Sequence, residues 1–190
     1  MKTNAKRNLL TILMLTVLLM LTAVPAYAGT QKQAAMKAYK AFLSTKGLTL
    51  YPESTDTKLS FATAYINKDS VPELIVKDKG YFAIYTYKNG KVKTLLPVDT
   101  MGALTKYYPK KNYIVIDHTN MNDIMYQTLS GAKRLRIFLG TRFKINAKEE
   151  YKELTKKQFQ KELKKIVGST KAKKPKFYRN TKTNRKKHLK

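Results

Sequence analysis

The chain has 190 residues, with 39 Lys or Arg against 12 Asp or Glu and a formal net charge of +27 at neutral pH. It contains no cysteine and no tryptophan, which excludes a disulfide framework, a thiol nucleophile and a cysteine-held metal centre. The length favours one domain, and an apolar content of 43% is enough to build its core.

Residues 1–28 read as an export signal. Lys2, Lys6 and Arg7 form a positive start, Leu9 to Val24 an apolar run, Pro25 breaks that run, and Ala26-Tyr27-Ala28 is an A-x-A peptidase site. The apolar run is shorter than the roughly 20 residues of a membrane-spanning helix. Cleavage after Ala28 is therefore expected, leaving no transmembrane segment in the mature chain. A lipoprotein would need a cysteine at its processing site, and the chain has none. Leu96-Pro97-Val98-Asp99-Thr100 is not a sorting signal, being mid-chain and lacking the Leu-Pro-x-Thr-Gly pattern. The expected location is extracellular or cell-wall associated, of a Gram-positive kind, with attachment noncovalent.

The domain is expected over residues 29–168. Gln31 to Lys46 predicts an amphipathic helix, with Ala35, Met36, Tyr39, Phe42 and Leu43 at helical spacing and Gly47 as its stop. Ser60 to Ile66 alternates in period two and predicts a strand. Asn67 to Pro72 is turn chemistry, Leu74 to Val76 a short apolar run, too short for a helix, and Asp78-Lys79-Gly80 another turn. Tyr81 to Tyr87 and Lys91 to Val98 flank Asn89-Gly90, the strongest short hairpin signal, because a type I′ turn needs positive φ at both central positions. Thr105 to Tyr108, Tyr113 to Asp117, Ile124 to Leu129, Arg134 to Leu139 and Thr141 to Ile145 predict further strands. Glu149, Glu150 and Glu153 are expected to sit ahead of the last long helix, favoured by its positive end. That helix spans Lys156 to Val167, with Thr155 and Gln158 as a capping box, Phe159, Leu163 and Ile166 as its apolar stripe, and Gly168 as its stop. The fold class is therefore α+β: an antiparallel meander of about six to eight strands with an N-terminal and a C-terminal helix packed on it.

Residues 169–190 differ in kind. They hold ten cations and no acid: Lys171, Lys173, Lys174, Lys176, Arg179, Lys182, Arg185, Lys186, Lys187 and Lys190. Basic blocks of this length are usually solvated arms; Phe177, Tyr178 and Leu189 are the residues by which part of it would dock, and Asn180 would cap a short helix.

The segments FATAYINKDSVPELIV, YTYKNGKV and NTKTNRKKHL resemble small uncharacterised secreted proteins of anaerobic Firmicutes, a resemblance that covers most of the mature chain and informs the fold. Within it, Asn67 to Leu74 resembles the calcium loop of FG-GAP and VCBS-type repeats. That resemblance implies Asn67, Asp69 and Glu73 at ligand positions, while Tyr65 and Ser70 stand where the pattern has Asp and Gly. Read from its residues alone, the loop is a hairpin connection whose side-chain oxygens bond the backbone, and no metal site is expected.

The sequence has no nucleophile elbow, phosphate loop, zinc helix or dinucleotide fingerprint, and no cofactor is expected. Its two histidines are His118, at a strand end beside Asp117 and near Asn120, Asn122 and Asp123, and His188, in the basic segment and expected in solvent. The thirteen tyrosines are core or rim residues first and a stacking platform second.

Charge is the strongest functional clue. The leader takes three cations and no acid, so +24 remains on residues 29–190, ten positives in 169–190 and an excess of +14 on the rest. That exceeds what solubility needs. Lys outnumbers Arg, which suits diffuse phosphate neutralisation rather than bidentate base readout. The expected partners are anionic envelope polymers such as teichoic acids, or other extracellular polyanions, without specific nucleic-acid readout. The leading expectation is a non-enzymatic binding or structural module held at the envelope by the ten cations. The alternatives are a secreted hydrolase using His118, Asp117 and Asp123, and a cationic effector acting on membranes or host polyanions.

Overall fold

The computed structural model describes residues 29–45, 48–50, 58–78, 80–100, 102–118, 121–131, 134–138, 140–147 and 150–190. The expected leader, its cleavage site and the Gly47 helix stop lie outside the described residues. The fold is α+β, with antiparallel strands and helices packed on them.

Helix α1 covers 29–43. Strands β1 (Ser60–Ala64), β2 (Glu73–Lys77), β3 (Tyr81–Lys88) and β4 (Lys91–Thr100) follow as a meander. A second meander is formed by β5 (Ala103–Tyr108), β6 (Tyr113–His118), β7 (Asp123–Thr128), β8 (Arg134–Phe138), β9 (Arg142–Ala147) and β10 (Glu150–Leu154). Helix α2 (Lys156–Val167), strand β11 (Tyr178–Arg179) and helix α3 (Lys182–His188) complete the chain. The strands form two sheets, of order β11-β1-β2-β3-β4 and β10-β9-β8-β7-β6-β5.

The two sheets stack because alternate residues of their central strands are apolar on both faces. Ala62, Ala64, Ile75, Phe82 and Ile84 of the first sheet meet Leu104, Ile114 and Ile116 of the second in one buried cluster. The opposite parity of the first sheet, Phe61, Leu74, Val76 and Ala83, lies under Ala35, Met36, Tyr39 and Leu43 of α1. On the second sheet Tyr113, Val115 and Leu135 lie under Phe159, Leu163 and Val167 of α2. The order is helix, sheet, sheet, helix. This is why Leu74-Ile75-Val76 and Tyr113 to Ile116 read as unbroken apolar runs: neither face of those strands meets water.

Local chemistry sets the boundaries. Asn89 and Gly90 both take positive φ, 54° and 76°, as the type I′ hairpin requires. Thr155 and Gln158 bond reciprocally as a capping box, and the Gly168 N–H closes α2 on the Lys164 carbonyl. Glu150 and Glu153 differ from expectation. They belong to β10, paired in register with β9 so that Glu153 faces Lys144, and the first turn of α2 carries no acid. A cross-strand partner, not the helix dipole, settles that stretch.

The C-terminal segment is threaded through the fold. Tyr107 of β5 and Lys173 exchange both backbone hydrogen bonds, at 2.9 and 2.8 Å. Tyr178 and Arg179 then pair with Phe61 and Ser60 at the edge of the first sheet. The segment thus joins edge strands of both sheets, whose open backbone groups are otherwise a pairing liability.

A candidate polyanion-binding surface

The basic segment was expected as a solvated arm; its backbone is instead fixed by partners far away in sequence. The Asn180 side-chain amide donates to the Leu43 carbonyl at the end of α1 at 2.9 Å, and the Asn180 N–H donates to the Leu59 carbonyl at 2.8 Å. Arg185 donates from Nη1 to Asn180 Oδ1 at 2.7 Å and to the Leu43 carbonyl at 3.4 Å. Leu189 has no exposed surface and belongs to the core beneath α1. The helix cap is Thr181, one residue after the expected Asn180, whose side chain is engaged with α1. His188 is likewise not a free side chain: its ring stacks on Tyr178 with centroids 3.5 Å apart.

This anchoring sorts the ten cations. Arg185 is half-buried and spent on structure. Lys171, Lys173, Lys174, Lys176, Arg179, Lys182, Lys186, Lys187 and Lys190 are exposed on a segment of fixed path. Lys176 stands 5.8 Å from the Tyr178 ring centre, and Lys77, from β2, lies 4.4 Å over the Phe177 ring. The outer side of α2 adds Lys156, Lys157, Lys161, Lys164 and Lys165, all exposed.

Several of the acids are engaged by specific partners within the fold. Asp123 is buried, at 1% exposure, and clamped by Arg136, whose Nε lies 3.1 and 3.0 Å from its two oxygens and whose Nη2 also contacts Oδ2. Asp78 Oδ1 accepts from the N–H groups of Gly80 and Tyr81 at 3.1 and 2.9 Å. Glu162 pairs with Lys165 at 2.5 Å. Several acids thus hold turns and the interior, while the lysines of residues 171–190 and of α2 face water.

The loop that resembles a calcium site uses its oxygens on its own backbone. Asn67 Oδ1 accepts from the Asp69 N–H at 2.9 Å, and Asp69 Oδ1 from the Val71 N–H at 2.9 Å. Glu73 is wholly buried, and its Oε2 accepts from the N–H groups of Ile66 at 2.7 Å and Asn67 at 3.4 Å. Among the described residues its buried Oε1 has no hydrogen-bond partner. Burial pushes the Glu73 carboxyl up to about 7, with the backbone bonds opposing. Beside it, the Tyr39 hydroxyl donates to the Pro72 carbonyl at 3.0 Å, tying α1 to the same loop. Among the described residues no group of three or more His, Asp or Glu side chains is placed to hold a metal ion.

The strand end with His118 is interior. His118 is 7% exposed, its Nδ1 is 3.7 Å from Asp123 Oδ2, and a Cβ on Gly102 would come within 2.8 Å of its ring. The structure brings His118 and Asp123 together but under cover, with Arg136 as the dominant partner of the carboxylate. Asn120 lies outside the described residues. The hairpin tyrosines Tyr81, Tyr85 and Tyr87 pack against the core beneath α1, and Phe42 meets Tyr85 with ring centres 4.7 Å apart. Tyr65 is the exposed tyrosine among the described large apolar side chains, at 37%.

No family model, curated protein or solved structure matches the chain. Among the described residues no helix is long and apolar enough to cross a membrane.

Proposed function

We propose that this chain is an exported, non-enzymatic binding or structural module, retained at the cell envelope by contact between its lysine-rich surface and anionic polymers. One observation carries the reading: nine of the ten cations of residues 169–190 project into solvent from a segment that contains no acid and whose backbone is pinned to both sheets. A charge array with a fixed path loses little conformational freedom when a polymer lies along it, unlike a loose arm, so more of the electrostatic gain remains as affinity. The export-signal pattern of residues 1–28 supports the location.

The test is binding of the full chain to purified cell wall across a salt series, comparing wild type with Lys→Gln substitutions at exposed positions of 171–190. Truncation is unsuitable, because it would remove β11 and Leu189 from the fold. A steep fall of affinity with salt, made shallower by the substitutions, is expected. Salt-insensitive retention by the substituted chain would refute the reading.

A further inference from the structure

Helix α3 has two dissimilar sides. One is locked: Arg185 is bonded to Asn180 and to α1, Asn184 Nδ2 donates to the Arg179 carbonyl at 2.9 Å, and Leu189, at the C-cap, is buried. On the other, Lys182, Thr183, Lys186, Lys187 and Lys190 line an open concavity of about 500 Å³. Lys182 with Lys186, and Thr183 with Lys187, are one turn apart in two parallel rows. Residues four apart on a helix rise by about 6 Å. A polymer with a phosphate every six backbone bonds (P–O–C–C–C–O–P) repeats at about 7 Å when extended, by the reach of about 3.3–3.6 Å per three bonds of a chain. The two repeats match closely enough for successive phosphates to meet successive turns.

We infer that this side of α3 is the docking surface for a phosphodiester chain with three-carbon linkers, of the glycerol-phosphate type, held phosphate by phosphate along the lysine rows. The inference rests on the polyanion reading above and narrows it to one element and one chemical class. Ammonium groups suit phosphate as point charges, and the Thr183 hydroxyl can donate to a non-bridging oxygen. A nucleic-acid strand has the same linker but gains much of its binding from bases stacked on aromatic rings. This concavity is lined by Lys and Thr alone, and the nearby Tyr178 ring is covered by His188.

His188 provides an internal reporter. Its pKa is held below the ordinary value by removal from water and by Lys187, Lys176 and Lys190. It stacks on Tyr178 of β11, so the charged groups facing it are those three lysines. An anion that neutralises them lifts that repulsion and raises the His188 pKa.

The experiment titrates the full chain with poly(glycerol phosphate), polygalacturonate and single-stranded DNA of matched charge. It follows affinity against salt and the His188 pKa by NMR. Two triple variants are compared: K182Q/K186Q/K190Q, on α3 and just past its C-cap, and K157Q/K161Q/K164Q on α2, where the lysines are equally exposed. The α3 triple is expected to weaken poly(glycerol phosphate) binding on the order of a hundredfold at low salt and to lower the log–log salt slope by about 2. The α2 triple should have a far smaller effect, and wild-type binding should raise the His188 pKa. Equal losses from the two triples, or equal or tighter binding of DNA or polygalacturonate, would overturn this assignment and leave the general polyanion reading standing. Failure of the wild-type chain to bind any of the three polymers would overturn both.

Discussion

Replacing Leu189 by alanine tests whether the lysine-rich C-terminus is part of the fold. Leu189 is the penultimate residue, flanked by His188 and Lys190, yet it has no exposed surface and sits in the cluster formed by α1 and the first sheet. Truncating a buried leucine costs about 2–5 kcal/mol, from the lost transfer free energy and the cavity left behind. At a chain end the surroundings collapse more readily, so about 3 kcal/mol is expected. For a domain of this size each kcal/mol shifts the melting temperature by roughly 2–4 °C, giving a fall of about 6–12 °C. Urea and thermal unfolding followed by circular dichroism measure it, with Lys190→Gln, an exposed neighbour, as the control expected to stay within about 0.5 kcal/mol of wild type. If Leu189→Ala also stays within about 0.5 kcal/mol, Leu189 is not a core residue and the argument for a fixed charge array fails with it.

Two further predictions concern the interior carboxylates. Asp123→Ala strands the Arg136 guanidinium; because Arg136 is 27% exposed, the cost is roughly 2–4 kcal/mol, below that of a fully enclosed pair, and Asp123→Ala with Arg136→Met should recover much of it in urea unfolding. Glu73 carries a proton in the fold up to about pH 7, against an ordinary value of 4.5. The folded state then binds more protons than the unfolded one between those values, so stability is greatest below pH 4.5 as far as this group is concerned. It is lost progressively as pH rises to 7, by about 3 kcal/mol in all. Glu73→Gln should flatten that slope, and an unchanged slope would show that Glu73 is not its origin.

What was legible in the sequence was local. Thr155 and Gln158 specify a cap by their spacing, and the helix they begin runs over the expected Lys156–Val167. Asn89-Gly90 specifies a type I′ turn, and the alternating runs on either side form its strands. The antiparallel meander and its flanking helices followed from such signals. Its partition into two stacked sheets did not, because the break near Gly102 reads equally well as a turn within one sheet; the decision is taken by the apolar inner faces meeting each other. Glu-Tyr-Lys-Glu-Leu of β10 is polar by composition and is a strand only because β9 supplies the partner backbone. The docking of 169–190 was hidden for the same reason. Phe177, Tyr178 and Leu189 hinted at it, but the contacts that fix it reach Leu43, 137 residues from Asn180. His118 and Asp123 looked like a polar strand end because Arg136, the residue that makes the burial of Asp123 tolerable, comes from the next strand, β8.

The docked C-terminus also links binding to stability. Were residues 169–190 a loose arm, a polymer captured by their lysines would leave the folding equilibrium untouched, since the unfolded chain would bind it equally well. With Leu189 in the core and β11 on the sheet edge, the lysine rows exist in their spacing only in the folded state. A polymer that recognises that spacing then stabilises the fold by RT ln(1 + [L]/Kd), about 2.7 kcal/mol at a hundredfold excess over Kd. One that recognises charge alone stabilises it far less, because the unfolded chain carries the same net charge. Thermal shift with each polymer therefore separates recognition of a shaped array from simple charge attraction, and Leu189→Ala, which loosens the array without removing a charge, should weaken the first and spare the second.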